Sequence, residues 1–146
     1  MNDLENLMQF RNQGFYCSQQ IVLSGLEMMG KSNPDLVRAM QGLACGLGFS
    51  GELCGALLGG AALLGLYSGK GTSEQEEDPR LFFMLEDLVA WFKSEFEEKY
   101  GGICCDEILG TAGRTKIPAC PLLITGVTQK VKELLVENGF DLSGLD

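Results

Sequence analysis

Apolar residues recur three and four positions apart along almost the whole chain, and the alternation typical of a half-buried strand is hard to find. This pattern predicts helices over about residues 3–12, 16–29, 33–44, 51–68, 78–100 and 121–138, and a short helical turn over 103–109. Glycine or proline stands at most of these ends, as is usual at helix termini. We therefore predict an all-α fold, a single-domain helical bundle of about six helices.

The predicted helix over about 51–68 is the most apolar, with no charged residue between Leu53 and Gly69. Gly51, Gly55 and Gly59 would share one face of it. Each glycine inside a helix costs about 0.8–1.0 kcal/mol relative to alanine, so we expect a close neighbour on that face. The uncharged stretch is at the short end of the roughly 17–25 residues that span a bilayer and is rich in glycine. We interpret it as the buried, glycine-rich central helix of the bundle, not as a membrane span.

The charge and the first residues of the chain indicate which partners and which compartment to expect. The chain has 146 residues, with 11 basic and 20 acidic side chains and a net charge of -9. An acidic surface repels phosphate backbones, so we expect no nucleic-acid partner. The beginning of the chain, Asn2-Asp3-Leu4-Glu5, lacks the basic residues and apolar run of a secretory signal. We therefore expect a cytoplasmic protein.

The chain contains no histidine and six cysteines. The absence of histidine excludes Ser-His-Asp, Cys-His and HExxH chemistry. In a reducing compartment, cysteines are more often metal ligands or redox-active thiols than permanent disulfides. No two of them form a CxxC, so the common redox and zinc-knuckle spacings are missing as well.

Cysteines stand where four of the predicted helices begin: at Cys17, at Cys54, at the pair Cys104-Cys105, and at Cys120. Unpaired N–H groups and the helix dipole stabilise a thiolate at such positions. We therefore expect the pKa values of these thiols to be lowered from about 8.5 toward about 3.5–7.5. The plain alternative is that cysteine acts as a small buried hydrophobe, and Cys17 and Cys45 would fit a core with no further role.

The motifs around these residues resemble a known family. The sequences CSQQ from Cys17, CGALLG from Cys54 and CDEILG from Cys105, followed by Cys120, are similar to the C_GCAxxG_C_C family of redox-active four-cysteine proteins. The label of that family writes Gly before Cys, whereas this chain has Cys54 before Gly55. The resemblance covers most of the chain, from about Tyr16 to the last helix.

The resemblance implies a redox role centred on Cys17, Cys54, Cys105 and Cys120. A similar segment of the split-Soret cytochromes is associated with a non-haem iron or iron–sulfur centre, so the resemblance implies these four residues as ligands of iron or of an iron–sulfur cluster. The protein would then exchange electrons with a donor or acceptor protein. Four thiolates are the ligand set that such clusters require, although zinc could use the same set.

Two glycines and the two remaining cysteines also have to be placed relative to these four ligands. Gly55 and Gly59 would leave room next to Cys54 for a cluster, or for a second helix that carries another ligand. Cys45 has no place in the family pattern. Cys104 has none either, although it directly precedes Cys105 and leaves open which of the two is used.

Two other functions stay open. One is a metal-free thiol–disulfide protein, in which one thiolate attacks and a second thiol resolves. The other is a helical interaction module whose cysteines are only core residues. The aromatic-rich helix over about 78–100 could also bury Trp91 or Phe82 in a homodimer, which the periodicity does not decide.

Overall fold

The computed structural model describes residues 2–109 and 120–144. The helices in these ranges are α1 (Asp3–Asn12), α2 (Cys17–Met28), α3 (Pro34–Gln41), α4 (Ala44–Phe49), α5 (Gly55–Ser68), α6 (Arg80–Tyr100), α7 (Cys105–Leu109) and α8 (Cys120–Glu137). Within the same ranges no strand forms, so the all-α prediction is confirmed. The predicted polar connection through Lys116, and Gly110 at the end of the third motif, lie outside the described residues.

Capping residues set several helix ends where the sequence predicts them. The Asn33 side chain accepts a hydrogen bond of 3.1 Å from Leu36 N–H, and Pro34 follows as the first residue of α3. The Asp78 carboxylate accepts a bond of 2.9 Å from Arg80 N–H at the start of α6. Gly101 ends α6 with a left-handed φ of 84°. These interactions satisfy backbone groups that have no partner inside a helix.

Helix α5 packs against α2, α6 and α8. Its glycines allow the close approach: a β-carbon on Gly59 would lie 3.0 Å from Ser18 Cα on α2, and one on Gly60 would lie 2.5 Å from Val127 Cγ1 on α8. The fully buried side chains around it include Ile21, Leu63, Leu64, Met84, Leu88, Phe92, Leu123, Val127 and Val131. Close backbone contact on one side therefore leaves the apolar side chains of α5 to fill the core.

The start of α5 differs from the prediction. The helix begins at Gly55, not at residue 51, and Gly51 lies in the preceding loop with φ of 78°. A β-carbon on Gly51 would lie 2.9 Å from Asp106 Cβ. The prediction that Gly51 shares a helical face with Gly55 and Gly59 is therefore wrong, because Gly51 serves a tight loop against α7.

The residues before that loop form an unusual turn. The third helix ends at Gln41 and does not reach Ala44, and within α4 the backbone of Cys45, Gly46, Leu47 and Gly48 is left-handed, with φ of 56°, 66°, 63° and 71°. Phe49 continues it with φ of 66°. Residues other than glycine lose about 1–2 kcal/mol each in this conformation. Surrounding contacts must therefore hold the turn in place.

No helix within residues 2–109 and 120–144 has both the length and the apolar character needed to cross a membrane.

Candidate thiol centre

Five of the six cysteines line one cavity of about 270 Å³. They are Cys17, Cys45, Cys54, Cys105 and Cys120. The fold thus brings together the four cysteines of the predicted set and adds Cys45, which has no place in the family pattern. Cys104 is not among the lining residues. All six are free thiols.

Cys17 is held at the cavity by the polar residues that follow it. The Ser18 hydroxyl donates to Met40 O over 2.6 Å, and the Gln19 amide donates to Val37 O over 3.1 Å. Both side chains are buried and tie the start of α2 to the end of α3. The polar residues of CSQQ therefore anchor the helix that presents Cys17.

Gly55 lies directly beside the Cys17 sulfur. A β-carbon at position 55 would lie 2.5 Å from Cys17 Sγ and 3.1 Å from Cys45 N. Together with Gly59, it lets α2 approach α5 until Cys17 reaches the cavity. The predicted use of these two glycines to make room for a cluster stays a prediction.

Cys54 and Cys105 are joined through their backbones. Cys54 N–H donates to Ile103 O over 3.1 Å, Cys105 N–H donates to Glu52 O over 2.6 Å, and Leu53 and Cys104 form an isolated antiparallel bridge. The bridge places the starts of α5 and α7 side by side, so both thiols meet the same cavity.

Cys45 enters the cavity from the left-handed turn. Its neighbour Gly46 has φ of 66°, and a β-carbon there would lie 2.5 Å from Cys105 Cβ and 2.8 Å from Glu52 O. The turn is thus packed against the bridge, and Glu52 N–H donates to Gly46 O over 3.1 Å. This packing and hydrogen bond stabilise the strained backbone that presents Cys45.

Cys17 and Cys45 line the same cavity and influence each other's ionisation. Hydrogen bonding from the Cys45 thiol to a Cys17 thiolate is the main reason that the pKa of Cys17 falls from 9.0 to about 7, against the opposing effect of burial. The backbone N–H groups of Cys45 and Ser18 stabilise the thiolate further. The same pairing raises the pKa of Cys45. The pair therefore begins to carry one thiolate near neutral pH, with the charge on Cys17 and the proton on Cys45.

The remaining cavity thiols are shifted in the opposite direction. Burial raises the pKa of Cys54 to about 12, although Leu57 and Ala56 N–H groups favour its thiolate. Burial also raises the pKa of Cys120 to about 12 and, with the negative charge of a Cys17 thiolate, that of Cys105. The expectation of lowered pKa values at all four helix starts is therefore wrong for these three, because desolvation outweighs the helix N-terminus.

The donor atoms at the cavity suit a thiolate-bound metal, but the cysteines that the structure describes are not grouped as metal ligands. Iron–sulfur clusters and zinc both accept all-cysteine ligand sets. Within residues 2–109 and 120–144, no three Cys, Asp or Glu side chains are placed to hold one metal ion. The arrangement as it stands is that of a thiol pair with three protonated thiols nearby.

Two residues of the cavity are not predicted as site residues by any pattern in the sequence. Cys45 lies in a Cys-Gly-Leu-Gly-Phe segment, and its alternating glycines are the one signal of a left-handed turn that the sequence offers. Arg11 lines the cavity from the last turn of α1, and no spacing in the sequence relates it to the cysteines. Both residues reach the cavity only because segments that are far apart in the sequence pack together.

Fold and site together define an all-helical, cysteine-rich protein with a cavity walled by thiols. A family model described as "Putative redox-active protein (C_GCAxxG_C_C)" matches residues 15–134. The chain belongs to this family, as the cysteine motifs predict. Comparisons with curated proteins and with solved structures find no match.

Proposed function

We propose that the protein is a thiol–disulfide redox protein in which Cys17 attacks and Cys45 resolves. The observation that carries this proposal is the close approach of Cys17 and Cys45 at the cavity wall, where a β-carbon on Gly55 would lie 2.5 Å from Cys17 Sγ and 3.1 Å from Cys45 N. A thiol with a pKa close to the ambient pH is the best attacking group, because about half of it is ionised and its thiolate is still strongly nucleophilic. A resolving thiol must lie next to the attacking sulfur, and Cys45 does.

The reaction follows the usual course of thiol–disulfide exchange. The Cys17 thiolate attacks one sulfur of a disulfide RSSR, forming Cys17–S–SR and releasing RS⁻, which takes up a proton. Cys45 then loses its proton and attacks Cys17 Sγ, forming the Cys17–Cys45 disulfide and releasing the second RS⁻. Two protein thiols are oxidised and one disulfide is reduced to two thiols. A dithiol reductant in a second exchange would restore the starting state.

Trapping the mixed disulfide tests this assignment. The reduced protein is treated with bis(2-hydroxyethyl) disulfide and its disulfides are mapped by peptide mass spectrometry. We expect a Cys17–Cys45 disulfide in the parent and a stable adduct on Cys17 in Cys45→Ser. Cys104→Ser is the matched control and should behave as the parent. An adduct on Cys54 or Cys120 with Cys17 unmodified would contradict the proposal.

Iron or an iron–sulfur cluster is the second candidate, and the observation in its favour is that five thiols line one cavity. Cys17, Cys54, Cys105 and Cys120 would be the ligands. The group would supply one-electron chemistry when bound, with an electron donor or acceptor protein as partner. The thiols would have to move closer together, since no three Cys, Asp or Glu side chains of the described residues are placed to hold one metal ion.

Elemental analysis of protein prepared without oxygen distinguishes the two candidates. Stoichiometric iron and visible absorbance, both lost in Cys54→Ser, would favour the metal centre. Metal-free protein that undergoes a reversible two-thiol change at Cys17 and Cys45 would favour the thiol–disulfide function.

A further inference from the structure

The thiol cavity differs in charge from the rest of the molecule. The chain carries 20 acidic residues and a net charge of -9, yet no carboxylate is among the described residues that line the cavity. Arg11 is the one basic side chain among them. An anion that approaches this protein would therefore find, beside the reactive Cys17, a guanidinium whose charge is opposite to the net charge of the molecule.

Arg11 has no carboxylate partner among the described residues. The ion pairs within residues 2–109 and 120–144 involve Arg38, Arg80, Lys130 and Lys132. The half-buried Arg11 side chain faces the thiols instead, and its charge acts on Cys120. A basic residue in the last turn of α1 stabilises that helix, but this role does not require contact with the cavity. A guanidinium placed there matches a carboxylate, which it can bind through two parallel hydrogen bonds.

The size and lining of the cavity limit what can enter. Its volume of about 270 Å³ lies just below the roughly 300–1,000 Å³ of pockets for drug-sized ligands, so a small molecule fits and a folded protein loop does not. Apart from the thiols and a few polar groups, the wall is apolar and includes Phe15, Ile108, Leu123 and Ile124. Such a wall favours a short aliphatic chain between two polar ends.

We propose that the cavity binds a small aliphatic disulfide that carries a carboxylate, with Arg11 holding the carboxylate while Cys17 attacks the sulfur. This inference rests on the proposed thiol–disulfide function and adds its substrate class. The balance of the reaction is unchanged: the substrate disulfide is reduced to two thiols, at least one carrying a carboxylate, and Cys17 and Cys45 are oxidised to a disulfide. Arg11 acts as a positioning residue and exchanges no proton.

Three disulfides of similar size and different charge test the proposal. They are bis(carboxymethyl) disulfide, bis(2-hydroxyethyl) disulfide and cystamine, which are anionic, neutral and cationic. The second-order rate constant for oxidation of Cys17 is measured for each in a Cys104→Ser background. Each value is divided by that of the same disulfide with 2-mercaptoethanol, which removes differences in intrinsic reactivity.

We expect the corrected rate to be highest for the anionic disulfide and lowest for cystamine. In Arg11→Gln the anionic-to-neutral ratio should fall about tenfold, the effect of losing one charge-assisted contact. Arg11→Lys should recover part of the ratio. Arg38→Gln makes the same change in net charge outside the cavity and should leave the ratio unchanged. Circular dichroism of each variant confirms that the helices are intact.

The possible outcomes distinguish a wrong substrate class from a wrong thiol–disulfide function. If Cys17 is oxidised by these disulfides but the anionic-to-neutral ratio is the same in the parent and in Arg11→Gln, the substrate class is wrong and the thiol–disulfide function stands. If none of the three oxidises Cys17 in the parent, the proposed function itself fails.

Discussion

At the scale of single residues, the thiols show that a helix start alone does not activate a cysteine. Cys54 and Cys17 both receive backbone N–H groups at the beginning of a helix. Cys17 has in addition a thiol donor, Cys45, and hydrogen bonds to charged groups are worth about 1.5–3 kcal/mol. Cys54 lacks such a donor and is more deeply buried, so burial decides its state. Reactivity at this site depends on a second sulfur.

The first prediction concerns the pH dependence of Cys17. In a Cys104→Ser background, the rate of alkylation at Cys17 by iodoacetamide should rise through about pH 7 and level off above it, because the pKa of Cys17 lies at about 7. Cys54 should stay unreactive to about pH 10, since its pKa is about 12. Peptide mass spectrometry distinguishes the two sites.

Replacing Cys45, the thiol donor, should raise the pKa of Cys17 again. Cys45→Ala removes the hydrogen bond, so the pKa of Cys17 should rise and its alkylation at pH 7 should slow about tenfold. Cys45→Ser keeps a hydroxyl donor and should lie between alanine and the parent. An unchanged rate profile in Cys45→Ala would mean that backbone N–H groups alone hold the thiolate.

A third prediction at the residue scale compares two glycines of α5. Gly55→Ala places a β-carbon against Cys17 Sγ, so it should destabilise the fold by about 1–3 kcal/mol and slow alkylation of Cys17. Gly65→Ala meets no atom within 4 Å and should stabilise the helix by up to about 1 kcal/mol. Urea unfolding measures both. If the two variants have equal stability, the close contact at Gly55 does not exist.

At the scale of elements, the helices are predictable and the left-handed turn is not. The stripes of α1, α2, α6 and α8 extend over ten residues or more, so their periodicity identifies them from sequence. The turn over Cys45–Phe49 has no periodicity, and three of its residues adopt a conformation that L-residues avoid. Its packing against Cys105 and Glu52 helps to make this conformation favourable. The periodicity therefore predicts too early a start for α5, and no local pattern places Cys45 in the site.

The turn yields a prediction from two of its glycines. Gly46→Ala and Gly48→Ala both introduce a side chain at a left-handed position, and each should lose about 1 kcal/mol for that reason. Only the β-carbon of Gly46→Ala also meets Cys105 Cβ and Glu52 O; a β-carbon at position 48 would meet no atom of a non-neighbouring residue within 4 Å. Gly46→Ala should therefore be the less stable of the two and should lower Cys17 reactivity, because Cys45 would be displaced. Equal losses in urea unfolding would show that the turn does not depend on the bridge.

At the scale of the whole molecule, the site is a product of packing between segments far apart in sequence. The five cavity thiols come from four helix starts and one turn, and only the assembled bundle brings their sulfurs to one cavity. Sequence could name four of them by motif, since helix starts leave local signals. It could not show which two would become partners, because that depends on the close approach of α2 to α5 at Gly55 and Gly59.

The last prediction concerns the stability of the oxidised molecule. A Cys17–Cys45 disulfide would close the stretch that contains α2 and α3, which reduces the entropy of the unfolded chain. For a loop of this length the gain is about 3–4 kcal/mol. The strain of the left-handed turn is present in both the reduced and the oxidised fold, so it does not reduce the gain.

Urea unfolding of the reduced and oxidised protein measures this gain, in a Cys104→Ser background. With a slope of about 1–3 kcal/mol per molar, the unfolding midpoint should rise by more than about 1 M on oxidation. Cys45→Ser cannot form the bond, and the same treatment should leave its midpoint unchanged. A mapped Cys17–Cys45 disulfide without a higher midpoint would mean that the bond distorts the turn, and the turn would then need to be rebuilt in each redox cycle. A higher midpoint would instead mean that the thiols are already arranged for oxidation, because the fold would then gain the constraint without losing its packing.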